Sequence, residues 1–384
     1  MRNYTVKSNA KINIGLDVTE SREDGYHNLD MVMVPIQFHD TLIIKEIKNK
    51  PDTYVTMDDY SLMVFQHNLA AYAVDELAAK YGFQNKYRIM IHKLIPIKAG
   101  LGGGSSNAAN TLKAVNNILK LGATDEELIE ISKKIGADVP FFIKNTPVRC
   151  RGVGEKMEPI NIKNDYWVLI VKPKQGCSTK EVFKLSDSTK RKHVDIDSIV
   201  KALEEGDDEL LANSLDNYLE DAAIQLVPEI QVIKDKLKDM GLKIVCMTGS
   251  GSTVFALSTN KKELKKAAAV MEPHYFTELT RILNNMPTIV DSFNKNIYIG
   301  DQMVGYIGRN VLYINGHKFA DISDDGVISY GDVKVGYVDD DNSIIVKDKE
   351  VGYIDGDNNF RFYNLTKSSK KTPTSIRGGS MSQL

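Results

Sequence analysis

The stretch AGLGGGSSNAA, residues 99–109, decides how the rest of the chain is read. Gly100, Gly102, Gly103 and Gly104 let the backbone come close to a ligand, and Ala108, Leu112, Val115 and Leu119 then form one apolar stripe at helical spacing that runs to Gly122. A helix therefore begins where the glycines end. Its first turn offers free N–H groups at the positive end of a helix dipole, and phosphate is the natural guest. Ser105 and Ser106 add hydroxyl donors or a contact for Mg2+, and Lys98 can meet a nucleotide from the other side of the loop. Neither a P-loop lysine signature nor a Rossmann GxGxxG is present, so those two readings lose their main support. A glycine-rich turn joining strand to helix would account for the same letters, and the loop alone says only that phosphate can bind.

Upstream, Ile12, Ile14, Leu16 and Val18 alternate with polar residues, the pattern of a half-buried strand over 4–18, and further strands are expected at 41–47 and 87–95. Leu69, Ala73, Leu77 and Tyr81 predict a helix over 68–81 that Gly82 stops. Downstream, Thr124 and Glu127 form a capping box for a helix over 125–135, with Asp138 just past its end. A second unit starts near the buried-strand run WVLIV at 167. It continues through helices near 195–205 and 228–240, and closes with KIVCMTGSGSTVFALS, a helix over 261–271 and a strand near 275–283. Strands and helices within each unit predict α+β layering.

The 384 residues, 42% hydrophobic and 26% charged, suffice for two ordinary cores and a small third unit. A formal net charge of −2 lacks the basic excess of a nucleic-acid binder, and no apolar run reaches membrane-spanning length. A small soluble ligand is the expected partner. The N-terminus alternates where a signal peptide would be continuously apolar, and Cys150, Cys177 and Cys246 are widely spaced, so reduced thiols in a cytoplasmic protein are expected.

From about 297 the texture changes. VGYI at 304, FADI at 319, VGYV at 335 and VGYI at 351 recur every 15 or 16 residues between Asp/Asn/Gly clusters, which predicts one β-hairpin per repeat. The stretch DISDDGVISYGD at 321–332 matches several calcium-loop positions, but strand-like repeats flank it where helices are required, so hairpin turns explain the same letters and no metal ligand is assigned. Residues 366–384 lack apolar periodicity and read as a disordered tail.

Three ordered motifs, AKIN at 10–13, PIKAGLGGGSSNAA at 96–109 and TGSGSTVFA at 248–256, resemble the signatures of the GHMP kinases, the superfamily of galactokinase, homoserine kinase and mevalonate kinase. DGYHNL at 24–29 and GADVPFF at 136–142 resemble its branch whose acceptor is a cytidine-diphosphate-linked methylerythritol of the non-mevalonate isoprenoid pathway. The likeness covers about residues 3–285 and leaves the repeats unexplained. It implies a two-domain fold. Residues 1–163 would be an ATP-binding domain like domain 2 of ribosomal protein S5, and residues 164–290 a ferredoxin-like α+β domain. Residues 291–365 would then be a β-hairpin repeat unit and 366–384 the tail. It also implies an ATP-dependent kinase with Mg2+ accompanying the nucleotide, no nucleic-acid or membrane partner, and repeats that could support a homo-oligomer or a partner.

Carried over position by position, the resemblance makes Asp138 the base that deprotonates the acceptor hydroxyl and Lys11 the cation that keeps it ionised and faces the transferred phosphate. Pro96, Lys98, Gly100, Leu101, Gly102, Gly103, Gly104, Ser105 and Ser106 would bind ATP, with Asn68 beside its base. Tyr26 and Phe183 would sandwich a cytosine while His27 bonds its edge. Asn13 and Thr179 would meet the diol or diphosphate, and Thr248, Gly249, Ser250 and Gly251 would close the cleft. By local rules alone Asp138 and Asn68 are helix caps, Thr179 caps the short helix after it, and Lys11 is a strand-end lysine. Two rivals stay open: a homoserine- or mevalonate-type kinase, which should lack the aromatic cytidine pocket, and an inactive nucleotide-binding scaffold that works through the repeats.

Overall fold

The computed structural model describes residues 4–22, 27–48, 50–57, 68–189 and 191–283, and beyond these the strand segments between 296 and 362. The chain divides into two compact units, Met1–Ile289 and Val290–Leu384. In the first, one sheet holds β1 (Tyr4–Ser21), β2 (His27–Ile47), β3 (Tyr54–Met57), β4 (Lys86–His92), β5 (Val148–Gly152) and β6 (Lys156–Pro159). Its order is β3-β4-β2-β5-β6, with β1 lying antiparallel along β2. Helices α1 (Leu69–Tyr81), α2 (Gly103–Leu119), α3 (Asp125–Ser132) and α4 (Val139–Lys144) accompany it.

A second, fully antiparallel sheet has the order β10-β7-β9-β8, from β7 (Trp167–Lys172), β8 (Ile244–Met247), β9 (Val254–Ser258) and β10 (Phe276–Arg281). Around it lie α5 (Thr179–Ser186), α6 (Ile196–Glu205), α7 (Asp208–Ser214), α8 (Glu220–Leu226), α9 (Glu229–Asp239) and α10 (Lys261–Met271). The α+β layering expected from the sequence is the layering found. Among the described residues no helix is long and apolar enough to cross a membrane.

Local rules set most of these boundaries. Asn68 caps α1 by accepting the N–H of Ala70 at 2.9 Å, and Gly82 ends it in the left-handed region. The Thr124/Glu127 capping box forms as the letters predict. Helix α2 stops at Leu119, before the expected Gly122, because Lys120 turns left-handed and the Asn116 side chain bonds both backbone groups of Ala123. Helix α3 is likewise three residues shorter than expected, its end closed by a tight bond from Ile135 N–H to the Ser132 carbonyl.

The strand β1 departs from its sequence pattern in a way that matters. Alternation predicts one wet face, yet Lys11, Asn13 and Asp17 between the apolar residues are buried too. The register with β2 slips by one between Asn13 and Leu16, where Gly15 has φ +89°. This bulge flips the strand's facing, so Ile12 and Ile14 pack in one core while Leu16 and Val18 pack in the other.

The second unit is a closed barrel of neighbouring strands from β11 (Asn296–Ile299) through β12 (Gln302–Gly308), β13 (Val311–Ile314), β14 (His317–Ile322), β15 (Val327–Tyr330), β16 (Val333–Val338), β17 (Ser343–Val346) and β18 (Lys349–Ile354) to β19 (Phe360–Phe362). Successive strands pair antiparallel as hairpins, and the parallel pairing of β11 with β19 closes the ring. The four repeat motifs fall on β12, β14, β16 and β18, so each period supplies two strands. Register shifts recur after Ile297, Leu312, Ile328 and Ile344, at the same period. Closure leaves no unpaired edge. Residues 366–384, and Ser323, Asp325, Gly326 and Asp332 of the calcium-like stretch, lie outside the described residues.

Candidate active site

A cleft of about 690 Å³ opens in the first unit between the glycine loop, β1 and the turn after β8. Its wall is built by backbone. Gly102, at φ +69°, is the N-cap of α2, and no side chain caps that helix, so its first-turn N–H groups remain free for a ligand. A methyl group at Gly102 would stand 2.7 Å from the Phe142 ring, and one at Gly100 would be driven into the Thr248 carbonyl oxygen. Gly100 and Gly102 are therefore demanded by what presses on the loop as well as by its turns.

The loop is held from behind by a pair that sequence reading missed. Asp40, fully buried, accepts the N–H groups of Leu94 and Ile95, each at 2.8 Å, and pairs with Lys93 at 2.6 Å; Lys93 also donates to the Ile95 carbonyl at 2.7 Å. Nothing in the letters around Asp40 or Lys93 marks them, because Asp40 on β2 and Lys93 just past β4 stand 53 positions apart.

Lys11 and Asp138 meet across 127 positions, Nζ to Oδ2 at 3.8 Å, with the lysine 5% and the aspartate 36% exposed. Both line the cleft. Asp138 occupies the N-cap position of α4, yet its side chain makes no capping bond, so its carboxylate is left for other work. Lys11 donates to Asn13 Oδ1 at 2.7 Å, and its backbone N–H bonds the Leu101 carbonyl at 3.0 Å, which fixes β1 to the glycine loop. Burial pulls the Lys11 ammonium below the usual lysine range, partly offset by the negative charge of Asp138.

The structure gathers most of the expected site residues. Asn13, Asn68, Pro96, Lys98, Gly100, Leu101, Gly102, Gly103, Gly104, Ser105, Thr179, Phe183, Gly249 and Ser250 all line the same cleft. Several corrections follow. Ser106 faces inward, fully buried, with its hydroxyl accepting from Ser8 at 2.8 Å, because the helical turn that exposes Ser105 rotates the next residue into the core. Thr248 and Gly251 are not part of the cleft wall: the Thr248 hydroxyl accepts the Asn13 N–H at 2.9 Å, and Gly251 packs beside Met247 and Cys177. Thr179 caps nothing, since Ser178 holds the N-cap position and Thr179 Oγ1 bonds Ser250 Oγ at 2.9 Å.

His27 lies against Phe183, ring centroids 4.9 Å apart at 31°, so these two rings touch each other and leave no slot between them. His27 Nε2 bonds Asp187 Oδ1 at 2.7 Å, a partner the sequence did not reveal. His27 stands outside the cleft wall itself, and Tyr26 lies outside the described residues. The three cysteines are free and buried, as expected.

Comparison with known proteins agrees with this geometry. Residues 68–145 match the family "GHMP kinases N terminal domain" and residues 199–276 match "GHMP kinases C terminal". The 4-diphosphocytidyl-2-C-methyl-D-erythritol kinase of Bacillus pumilus is 37% identical over 260 residues, 68% of this chain and 90% of that protein. A putative kinase of the same name from Streptococcus uberis is 40% identical over 258 residues, 67% of this chain and 90% of its own. A crystal structure of 4-(cytidine 5'-diphospho)-2C-methyl-D-erythritol kinase superposes with a TM-score of 0.62 at 28% identity, covering 73% of this chain and all of that one. A homoserine kinase from Cytophaga hutchinsonii shares the fold, with a TM-score of 0.59 at 17% identity over 73% of this chain and 95% of that one.

Proposed function

Because the chain belongs to the 4-diphosphocytidyl-2-C-methyl-D-erythritol kinases, a branch of the GHMP kinases, we propose that it transfers the γ-phosphoryl group of ATP to the 2-hydroxyl of that cytidylylated methylerythritol, a step of isoprenoid precursor synthesis. The observation that carries the reading is the meeting of Lys11 and Asp138 on a cleft walled by the glycine loop.

Asp138 accepts the proton of the acceptor hydroxyl, the freed oxygen forms a bond to the γ-phosphorus, and the bond to the β–γ bridging oxygen breaks to release ADP. Lys11, held from below by Asn13, offsets the negative charge that builds on the transferred group. The uncapped start of α2 and the Ser105 hydroxyl receive the ATP phosphates, while Asn68 and Pro96 border the end of the cleft given to the base. Among the described residues no group of three His, Cys, Asp or Glu side chains could cage a metal ion. A Mg2+ accompanying the nucleotide would be met in the cleft by the Ser105 hydroxyl and the Asp138 carboxylate, both on its wall. When bound, it neutralises phosphate charge.

Phe183 on the cleft wall, with His27 packed against it, offers an aromatic face to the cytosine, and Asp187 occupies His27 Nε2 so that Nδ1 is the nitrogen left for the base. The test is ADP release with ATP and the cytidylylated erythritol, set beside homoserine and mevalonate. Turnover with the first acceptor alone is expected; no turnover with any of them sinks the reading. Asp138→Asn should lower kcat by about 10²–10⁴, and undiminished turnover in that variant removes Asp138 from the role of base.

A further inference from the structure

Asn217 lies in the loop between α7 and α8, 1% exposed. Its amide nitrogen gives one hydrogen to the Met247 carbonyl and one to the Gly249 carbonyl, both at 2.9 Å, and its Oδ1 accepts the Leu219 N–H at 3.0 Å. Every donor and acceptor of the side chain is spent in a place where an unpaired polar group is costly. The flanking residues are stitched to β1: Leu16 N–H bonds the Asp216 carbonyl at 3.2 Å and Tyr218 N–H bonds the Leu16 carbonyl at 2.8 Å. The same strand reaches the turn at a second point, Asn13 N–H to Thr248 Oγ1. The turn itself presses on the reacting groups, since a methyl group at Gly249 would stand 3.3 Å from Lys11 Nζ and 3.1 Å from the Gly100 carbonyl oxygen.

We infer that Asn217 is a positioning residue that sets the turn at 247–249 against Lys11 and the glycine loop, joining the second sheet's contribution to the strand that carries the lysine. The inference rests on the kinase reading above for its catalytic consequence and on hydrogen bonds alone for its structural one. Only a carboxamide supplies two donors and one acceptor in this fork. A carboxylate would turn an acceptor toward the two carbonyl oxygens, and an aliphatic side chain would leave both of them unpaired.

Among the described residues the titratable groups around the loop are Arg191, which bonds the Asn217 carbonyl and pairs with Asp216 and Asp221, Glu220, which pairs with Lys234 and accepts the Met247 N–H, and His193, which stacks on Tyr218 and pairs with Asp17; Lys11 lies beyond Gly249. All are present in every variant compared, so only the introduced group differs.

The experiment uses full-length wild type, Asn217→Asp and Asn217→Leu at about pH 6 and about pH 8. It reads kcat, KM for both substrates, and amide hydrogen exchange. At the higher pH the Asp variant should lose roughly 10- to 100-fold in kcat, the scale of an ångström-sized misplacement, with faster exchange at 247–252 and wild-type exchange in α1 and α10. At the lower pH its carboxyl takes a proton, regains one donor and recovers much of the loss relative to wild type, while the Leu variant stays equally impaired at both. Wild-type kcat and exchange in the Asp variant at the higher pH overturn the inference. So does a loss that is spread evenly over the molecule and does not recover with acid. If wild type itself turns over no acceptor, exchange at 247–252 still decides the role of Asn217, and only the kinase reading falls.

Discussion

The residues at the site divide into those whose chemistry is visible in the letters and those whose surroundings create it. Lys11 is an ordinary lysine in sequence; burial beside Asn13 and Asp138 gives it a depressed ionisation. The sign follows from the first cause: loss of hydration disfavours the charged form, and Asp138 only partly restores it. The charge that the proposed mechanism uses is therefore lost at a lower pH than for an exposed lysine, so kcat should fall on the alkaline side below the ordinary value of 10.5. A profile with no fall until that value contradicts the buried, mechanism-linked lysine. In the proposed function Asp187 acts on the acceptor alone, through its bond to His27. Asp187→Ala frees His27 to swing, so KM for the cytidylylated acceptor should rise by about tenfold, one hydrogen bond's worth, with KM for ATP unchanged. Equal shifts in both constants would place Asp187 outside the acceptor pocket.

Among the elements, α2 and α4 carry the groups to which the proposed mechanism gives the phosphates and the proton, and Lys113 joins them. It projects from α2 to donate to the Phe142 carbonyl of α4 at 3.2 Å, and burial pushes its ammonium down to about 8, with Asp125 opposing. In the unfolded chain the group titrates near 10.5. Between those values the unfolded state binds more protons than the folded one, so this residue's contribution to stability rises with pH over that window and is flat below it. Thermal unfolding should show wild type gaining on Lys113→Met from about pH 8 upward; a constant difference between the two proteins would remove Lys113 from the buried, uncharged state. Gly102 tests the other end of α2. Gly102→Ala combines an L-residue at φ +69° with a collision against Phe142, so a loss of about 1–3 kcal/mol in unfolding free energy is expected together with weakened ATP binding. A variant as stable as wild type would mean that the loop is less constrained than its packing indicates. The capping box and the Asn68 cap were legible because they are short-range exchanges of hydrogen bonds. The shortened end of α2 was not, because it depends on a side chain reaching seven residues ahead.

At the scale of the molecule, every described residue that lines the cleft belongs to the unit Met1–Ile289, and the Bacillus pumilus relative is matched over 90% of its length by 68% of this chain. A protein truncated after residue 289 should therefore fold and keep kcat and both KM values within about twofold of the full chain, since no described residue of the cleft is removed. A collapse of turnover in a well-folded truncation would assign the barrel a part in the reaction. The repeats themselves were legible as hairpins, because a 16-residue period with turn residues between apolar runs is a local signal. Closure was not, because it is set by how the recurring bulges curve and stagger the strands until the last meets the first.

The letters alone were enough for the glycine-rich start of α2, the family, the α+β elements and the repeat period, all of which are written in residues near one another or in motifs read in order. Packing was needed to show that the alternating residues of β1 switch cores at the Gly15 bulge, that Ser106 turns inward while Ser105 does not, and that Lys93 pairs with Asp40, Asp187 with His27 and Asn217 with the turn at 247–249, all outside the motifs. The reason is the range of the forces. Propensity, capping and periodicity act over a few residues, whereas burial and the pairing of buried polar groups depend on which distant segments the packed core brings together.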